Sequence, residues 1–538
     1  MQDNVIELKP LKTSVYRKLV GVVPFYGDAI KPVHIANGLL RVIDGRINKS
    51  KKIQQLALVV SNKGITPKNH DLETVYNQLV TENIVDSDIS KEEFASFRNA
   101  LQKLISADNA VYIVNTNSLD RHVSYSAVSK YFLTGHALYE EGGELIGSVI
   151  KNITPDLANY IKAILDQGKD PISLAFLPVL DNRNWQTYEG TDIDIIPAFS
   201  NDSLAMKRIK ESMISSAITL KNNLKFYPNE LNQLRIFNLY AIFNYFRYLI
   251  QLSSYYCSEP IHPILLDFSK LPPSRSSVAR TSEITYTQVY KSLNRFYSWA
   301  FSEELVGYTR EELISLPCPV YEKTKNPKKG NDSKIIWDIA KQSITDSTSE
   351  EEIRVLLGEA MYDIIAQEAM GTPLKYLKML GTKSGILFPP DAQHPNKRFS
   401  VSQDVLEMLI LSCVNPNEVI SKTEIRKRLW ERFNIIIGGS EFELEALQKG
   451  NAFLQIDENS LEESLDGAEY EQQVLIEDQQ EQIEFGEAQE DLDLQAQAAH
   501  SQFSVMQNQA QQETQDSFIE DEDPEDEPSF VLEPELHR

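Results

Sequence analysis

Two aspartates in an Asp-x-Asp pattern are the residues of this sequence best suited to metal chemistry. Asp192 and Asp194 stand in a polar segment, and Asp181 precedes them. Carboxylate oxygens are the ligands that hard divalent cations prefer, so these three residues could serve a divergent metal-dependent nuclease. A nuclease usually also needs a further carboxylate and a lysine on a neighbouring strand, and the sequence contains no such run. The nuclease is therefore an alternative hypothesis, and we expect no bound metal.

Other residue types that serve in catalysis lack the spacing that catalysis needs. The eight histidines never recur three or four residues apart, which excludes an HExxH zinc site. Neither a phosphate-binding P-loop nor a Gly-x-Ser-x-Gly nucleophile turn occurs. Cys257, Cys318 and Cys413 are far apart and odd in number, which argues against disulfides and zinc knuckles. We expect a cytoplasmic protein without catalytic site or cofactor, in which Cys257 and Cys413 are inert core thiols.

Two groups of basic residues are candidates for contact with nucleic acid or with an acidic protein segment. The groups are Lys323, Lys325, Lys328 and Lys329, followed by Lys334, and Lys422, Arg426, Lys427, Arg428 and Arg432. The second group falls on one predicted helix, which could lie along a phosphate backbone. The next helix carries Glu441, Glu443 and Glu445, and carboxylates directed at DNA weaken a binding that depends on phosphate attraction. A protein-docking role is therefore favoured, and a solvated linker is the simpler interpretation of the first group.

Two long aromatic-rich helices are predicted to form the centre of the body. Pro228-Asn229-Glu230 opens the first, in which apolar residues keep helical spacing as far as Ile250. Its apolar residues nearly encircle the helix, which indicates a position inside a bundle. Ser282 and Glu283 are predicted to open the second helix, and Arg275 and Arg280 are expected in the loop before it. Because strands and helices do not alternate regularly, the predicted fold class is mainly α with minor β.

Composition and periodicity divide the chain into five predicted segments. These are a mixed, helix-rich domain (1–202), an aromatic-rich helical bundle (203–316), a basic linker (317–334), a helical domain (335–457) and a disordered acidic tail (458–538). Within them, short strands are predicted at 56–60 and 110–114, and an irregular loop at 181–202. The helices predicted at 401–413, 421–433 and 440–449 have the spacing of a helix-turn-helix or winged-helix module. No apolar run is long enough to predict a membrane span.

Nearly all of the net negative charge lies near the end of the chain. Residues 441–538 contain 29 of the 78 Asp and Glu residues against two basic residues, so the rest of the chain is nearly neutral. A segment of this composition buries too little apolar surface to become ordered. Its scattered apolar residues suit short docking motifs, and a plain solubilising extension is the alternative. The tail could also mimic nucleic acid and inhibit DNA binding by the basic groups.

Two segments carry a resemblance to a known family: SEITYTQVYKSLNRFYSWAFSEEL at 282–305, and VLEMLILSCV with SKTEIRKRLWERFNIIIGG at 405–439. In these segments and in its general organisation the chain resembles the non-catalytic subunits of multi-gene bacterial anti-phage defence systems, most of all the DruB-like subunit of Druantia-type operons. The resemblance implies a subunit that works beside a separate large helicase, which supplies ATP hydrolysis.

The function predicted from these features is a scaffold or adaptor subunit of an antiviral complex that acts on nucleic acid. Its partners would be other protein subunits, such as a helicase or another nucleic-acid enzyme, with nucleic acid contacted indirectly and no membrane involved. The alternatives are a direct DNA-binding protein that its acidic tail inhibits, and the metal-dependent nuclease.

Overall fold

A computed structural model of the chain describes residues 6–23, 32–48, 76–77, 80–81, 90–96, 141–167, 185–200, 204–227, 229–321, 327–369, 372–391, 393–437, 443 and 445. All of these belong to one compact unit, Met1–Glu469, and the second unit, Tyr470–Arg538, contains none of them. The predicted acidic tail, the strands predicted at 56–60 and 110–114, and most of the helix predicted at 440–449 therefore lie outside the described residues.

The described part of the body is mainly helical, which confirms the predicted fold class. Its helices are α1 (Leu8–Val20), α2 (Pro32–Asp44), α3 (Glu141–Ile153), α4 (Pro155–Gln167), α5 (Pro197–Ser200), α6 (Leu204–Leu224), α7 (Glu230–Ile250), α8 (Leu252–Tyr256), α9 (Ser277–Glu303), α10 (Arg310–Ser315), α11 (Pro327–Gln342), α12 (Glu350–Glu368), α13 (Pro373–Lys383), α14 (Gln403–Leu411) and α15 (Lys422–Phe433). Its strands are β1 (Arg46–Asn48), β2 (Trp185–Thr187), β3 (Ile264–Leu265), β4 (Leu387–Phe388), β5 (Arg398–Phe399) and β6 (Ile435–Ile436).

Helix α7 is the centre of the body, as its aromatic sequence predicts. The side chain of Asn229 accepts a hydrogen bond from the backbone N–H of Asn232, so Asn229 is the N-cap of the helix. From Leu234 to Ile250 nearly every side chain is buried, and α7 contacts α2, α3, α9, α13 and α14. A helix that is apolar on all sides is stable in water only when neighbours surround it, which is the arrangement observed.

Helix α9 begins earlier than its sequence suggests. Ser276 caps it by accepting a hydrogen bond from the backbone N–H of Ala279, whereas the predicted start, Ser282, lies inside the helix. The Ser282 hydroxyl donates to the carbonyl of Phe399 and accepts from the N–H of the same residue. The predicted start was therefore wrong, because Ser282 serves a packed neighbour and not the helix end. Arg280, which was expected in the loop before the helix, lies inside α9 because the helix already begins at Ser277.

Glycines set the closest helix contacts. Gly143 of α3 packs directly on α2, and a Cβ atom at this position would clash with the carbonyl oxygen of Ile35. Gly358 of α12 meets α9 in the same way, since a Cβ there would lie 2.6 Å from the backbone nitrogen of Ser302. Glycine is the residue that allows two backbones to approach this closely.

Short strand pairs join distant parts of the chain. Strands β1 and β2 are antiparallel, as are β4 and β5, whereas β3 and β6 are parallel, with Ile264 opposite Ile435 and Leu265 opposite Ile436. The pairing of β3 with β6 fixes the segment after α15 to the crossing between α8 and α9. The sequence predicts only a connection between two helices at this point, because a run of isoleucines beside two glycines gives no sign of its distant partner.

Two predicted irregular segments contain regular structure. The expected loop at 181–202 includes β2 and α5, and the expected linker at 317–334 is helical from Pro327 onward. A proline is well suited to the first position of a helix, where its missing N–H costs nothing. Trp337 is 2% exposed and anchors α11 to the body, which the lysine-rich composition conceals. The remaining domain boundaries stay predictions.

Candidate functional site

The first basic group is described only in part. Lys323 and Lys325 lie outside the described residues. Lys328 and Lys329 lie in the first turn of α11, where the structure describes the backbone alone, and Lys334 is exposed on the same helix. The structure therefore places three of these lysines on α11, a different helix from that of the second group.

The second basic group lies on α15, and its helix is as predicted. Ser421 caps the helix by accepting a hydrogen bond from the backbone N–H of Glu424. At the other end Asn434 adopts a left-handed conformation with φ 58°, a common way to end a helix. On this helix the side chains of Leu429 and Phe433 are buried. The helix is thus a packed element, and its position depends on the contacts of its arginines.

Arg428 attaches α15 to the loop in front of it. Its guanidinium forms two hydrogen bonds of 2.7 and 2.9 Å with the carboxylate of Glu418 and one of 2.8 Å with Glu424. It also donates to the carbonyl of Cys413. The Arg428 hydrogen bonds lower the pKa of Glu418 to about 2, so this carboxylate is charged throughout the neutral range. The guanidinium of Arg428 is therefore bound by acceptors of its own chain.

Arg432 attaches the other end of α15. Its guanidinium donates to the hydroxyl of Thr219 on α6 at 3.0 Å and to the carbonyl of Ser412 after α14. Both acceptors are distant in sequence, so the contact fixes three helices relative to one another. The sequence predicted Arg432 as a contact for nucleic acid or for an acidic protein segment, and the structure shows its side chain bound to acceptors of the same chain.

A buried arginine lies under the C-terminal end of α15. Arg247 of α7 is fully buried, and its guanidinium donates to the backbone carbonyl of Arg432 and, at 2.8 Å, to the hydroxyl of Ser212. The guanidinium carbon also lies 5.5 Å from the centre of the Phe433 ring. Among the described residues no carboxylate forms an ion pair with it, and its Nε has no hydrogen-bond partner. Burial lowers the pKa of Arg247 to about 10, so it is still charged at neutral pH.

The backbone of α15 takes the place of a counter-ion for Arg247. The last carbonyls of a helix are unsatisfied and carry a partial negative charge, which a cation stabilises. Arg247 therefore satisfies a carbonyl of the last turn of α15 while that turn offsets part of its charge. Sequence reasoning missed this residue, although an arginine inside an otherwise apolar helix is a usable signal.

Two lysines and one arginine of α15 face outward in part. Lys422 and Lys427 are exposed, and Lys427 lies 4.0 Å from Glu431 on the same helix. Arg426 is half-buried, and its Nε is buried without a hydrogen-bond partner in the described part of the chain. Of the five residues predicted as contacts, Lys422 and Lys427 are thus the ones whose side chains are exposed on the surface. The winged-helix prediction stays a prediction, because Glu443 and Glu445 alone are described beyond residue 437.

Outward-facing isoleucines form a second kind of candidate surface. On α6, Ile214 and Ile218 are 43% and 55% exposed, and on α11, Ile335 and Ile339 are 57% and 59% exposed. Each pair is spaced by four residues, so its members lie side by side on one helix face. Sequence reasoning missed both pairs. The signal in the sequence is two apolar residues in succession, Met213-Ile214 and again Ala217-Ile218. In each pair the first residue is buried in the core and the second is exposed.

One buried cluster has the residue types of a hydrolase but not the geometry. The Ser253 hydroxyl and His262 Nε2 are 3.0 Å apart, and a carboxylate oxygen of Glu259 lies 3.7 Å from the same Nε2. In a catalytic triad the acid orients the histidine through the other ring nitrogen. Glu259 is also held by Arg295. Burial lowers the pKa of His262 to about 4, which makes it a weak base near neutral pH.

The predicted metal residues and thiols have local explanations. The carboxylate of Asp192 accepts a hydrogen bond from the backbone N–H of Asp194, which forms a turn, and Asp181 lies outside the described residues. Within the described ranges, no three His, Cys, Asp or Glu side chains cluster as metal ligands would. Burial raises the pKa of Cys257 to about 11 and that of Cys413 to about 12. Both thiols are therefore poor nucleophiles near neutral pH.

No helix among the described residues is both long and apolar enough to cross a membrane. Comparison of the chain with protein-family models, with curated proteins and with solved structures finds no match.

Proposed function

We propose that this chain is a scaffold or adaptor subunit of a multi-protein bacterial anti-phage complex that acts on nucleic acid, in which another subunit performs the catalysis. The antiviral setting comes from the resemblance of residues 282–305 and 405–439 to non-catalytic defence subunits. The protein partners would include a helicase or another nucleic-acid enzyme.

The observation that carries the adaptor role is the use of the arginines on α15. A helix that reads nucleic acid directs its arginines at phosphates and base edges. Here Arg428 and Arg432 are bound to Glu418, Thr219 and neighbouring carbonyls. By its sequence, α15 is the helix that most resembles a DNA-reading element, yet these contacts hold it in the body. This supports a role in organising proteins.

The exposed pair on α11 supports protein binding. Ile335 and Ile339 lie on a helix that begins with lysines of the first basic group, so an apolar strip and positive charge belong to one helix. Exposed apolar residues rimmed by polar ones are typical of protein-interaction surfaces. Lys334 adds a charge beside the strip, which would favour a partner that carries carboxylates around an apolar centre.

The test is purification of the full chain with the products of its neighbouring genes. We expect a stable complex that contains a nucleic-acid enzyme, and we expect phage protection to be lost when this chain is deleted. Ile335→Glu with Ile339→Glu should reduce the yield of the complex, while Val419→Glu, at a 99% exposed loop residue, should not. A chain that remains alone during purification and whose deletion leaves protection intact would contradict the proposal.

A second candidate function, direct DNA binding, is favoured by the exposure of Lys422 and Lys427. In that case Lys422→Ala with Lys427→Ala should weaken binding to a fluorescent duplex and make it less sensitive to salt, because fewer phosphates are neutralised. A chain that ends at Glu469 should bind more tightly than the full chain if the acidic tail is inhibitory. Equal anisotropy for all three proteins at low salt would exclude this candidate.

A further inference from the structure

The outward face of α6 and the turn that follows it carry six side chains in one row. They recur at intervals of four and three residues in alternation, and they are Lys207, Glu211, Ile214, Ile218, Lys221 and Lys225. This spacing is that of the contact row of an antiparallel or parallel helix pair. The opposite face of α6, with Met213 and Leu220, is already buried in the body. The row is therefore additional to the core contacts of the helix.

The row is complementary to a second copy of itself that runs in the opposite direction. If a second copy of α6 packs against the first in the antiparallel direction about position 216, Ile214 faces Ile218 of the other copy, and the reverse pair forms by symmetry. Glu211 then faces Lys221, again twice. A two-fold interface requires this property, because each residue must meet its partner in both directions.

We propose that the chain forms a two-fold symmetric dimer in which α6 pairs with α6 of a second copy in the antiparallel direction. The four isoleucines form the apolar centre, since burial of apolar surface is the main favourable contribution to association. Two Glu211–Lys221 pairs flank this centre and fix the direction and register. The proposal goes beyond the adaptor role and does not depend on it.

The ends of the row limit the strength of the dimer. Lys207 faces Lys225 of the other copy, and like charges at close range repel one another. In addition, Asp156 of α4 lies 3.6 Å from Lys221 in the same chain and competes with Glu211 for it. A single helix pair also buries less surface than a standard interface. We therefore expect a dissociation constant in the range of about 1 to 100 μM.

Other occupants fit the row less well. Nucleic acid is bound by cations and by aromatic rings that stack on bases, and a pair of isoleucines at the centre offers neither. An added β-strand would need free backbone groups, which a helix does not present. A single acidic helix from a different protein would meet Glu211 with a like charge.

The first test measures the mass of the full chain by sedimentation equilibrium over about 1 to 100 μM. We expect a monomer–dimer equilibrium that Ile214→Glu with Ile218→Glu weakens more than tenfold. The matched control is Val306→Glu with Val355→Glu, which places the same charges at exposed apolar positions outside α6 and should leave the equilibrium unchanged. Circular dichroism should be the same for all variants, because the four positions lie outside the core.

A charge exchange tests the register. Glu211→Lys and Lys221→Glu should each weaken the dimer several-fold, and the two together should restore it, because the opposite charges face each other again. Lys225→Glu should tighten the dimer, since it replaces two repulsions with two attractions. A chain that is monomeric at every concentration, or a dimer that the isoleucine and charge variants do not alter, would overturn the proposal. A monomer that still binds its protein partners would overturn the dimer alone and leave the adaptor role intact.

Discussion

The guanidinium of Arg247 donates a hydrogen bond to the backbone carbonyl of Arg432, so a buried cation of the central helix satisfies the C-terminal end of the basic helix α15. The same Arg432 uses its own side chain to bind Thr219 and the carbonyl of Ser412. Two arginines that are distant in sequence thus fix α6, α7, α14 and α15 together. Their contacts explain why α15 belongs to the body.

Removal of the Arg247 side chain should destabilise the protein strongly. Arg247→Ala leaves a cavity and an unsatisfied helix end, and we expect a loss of about 3 to 5 kcal/mol in the free energy of unfolding. Arg247→Met fills most of the space and removes a charge whose burial is itself unfavourable, so its loss should be about 1 to 2 kcal/mol. Urea unfolding of the two variants measures the difference. Equal losses would mean that the charge and its hydrogen bonds, and not the filled volume, determine the stability.

Arg428→Ala should loosen the start of α15 without unfolding the body. The variant removes the charged hydrogen bonds to Glu418 and Glu424, which we expect to lower the local opening free energy by about 1.5 kcal/mol. Hydrogen exchange at the amides of residues 415–433 should then be about tenfold faster. Lys427→Ala is the control, because this neighbouring side chain is exposed and its ion pair is long. Unchanged exchange in Arg428→Ala would show that the loop is held by other contacts.

Sequence patterns predicted the parts of this protein that depend on near neighbours. The start of α7 at Asn229 depends on a cap between residues three positions apart, and this cap is observed. Arg428 could have been paired with Glu424 by the same reasoning, since the two lie four residues apart on one helix. The second basic group was assigned to an outside partner because the other acceptors of its arginines are not adjacent in the chain.

Features that depend on distant partners could not be predicted. Ser282 has the sequence context of a cap, yet its hydroxyl binds Phe399, more than a hundred residues later. The pairing of Ile264 with Ile435 is equally invisible in a local window. The exposure of Ile214 beside the buried Met213 depends on the angle at which α6 meets the body. In each case the deciding contact exists only after the chain has folded.

The buried His262 should make the protein less stable in mild acid. Its pKa is about 4 in the folded chain, against an ordinary value of 6.5. Between these values the unfolded chain binds a proton that the folded chain does not, so stability falls as the pH falls from 6.5 towards 4. At pH 5 the expected loss from this residue is about 2 kcal/mol.

His262→Gln separates this contribution from that of other groups. Glutamine keeps a hydrogen-bonding group near Ser253 and does not titrate, so the difference in unfolding free energy between pH 7 and pH 5 should shrink by about 2 kcal/mol. Urea unfolding at the two pH values measures it. The same pH dependence in both proteins would show that His262 takes up its proton in the folded state.

Gly143→Ala should separate α2 from α3. A methyl group at this position meets the carbonyl oxygen of Ile35, which is backbone and cannot rotate away. Overpacking of this kind should cost about 3 kcal/mol, even after the better helix propensity of alanine is included. Gly147→Ala is a graded comparison, since its Cβ would lie 3.0 Å from the Cβ of Val42 and 3.1 Å from the carbonyl oxygen of Leu39, and a shift of a few tenths of an ångström relieves both contacts. We therefore expect Gly147→Ala to cost about 1 kcal/mol or less. Thermal unfolding of both variants orders the two effects, and an equally mild result for Gly143→Ala would mean that the two helices can move apart without loss of the core.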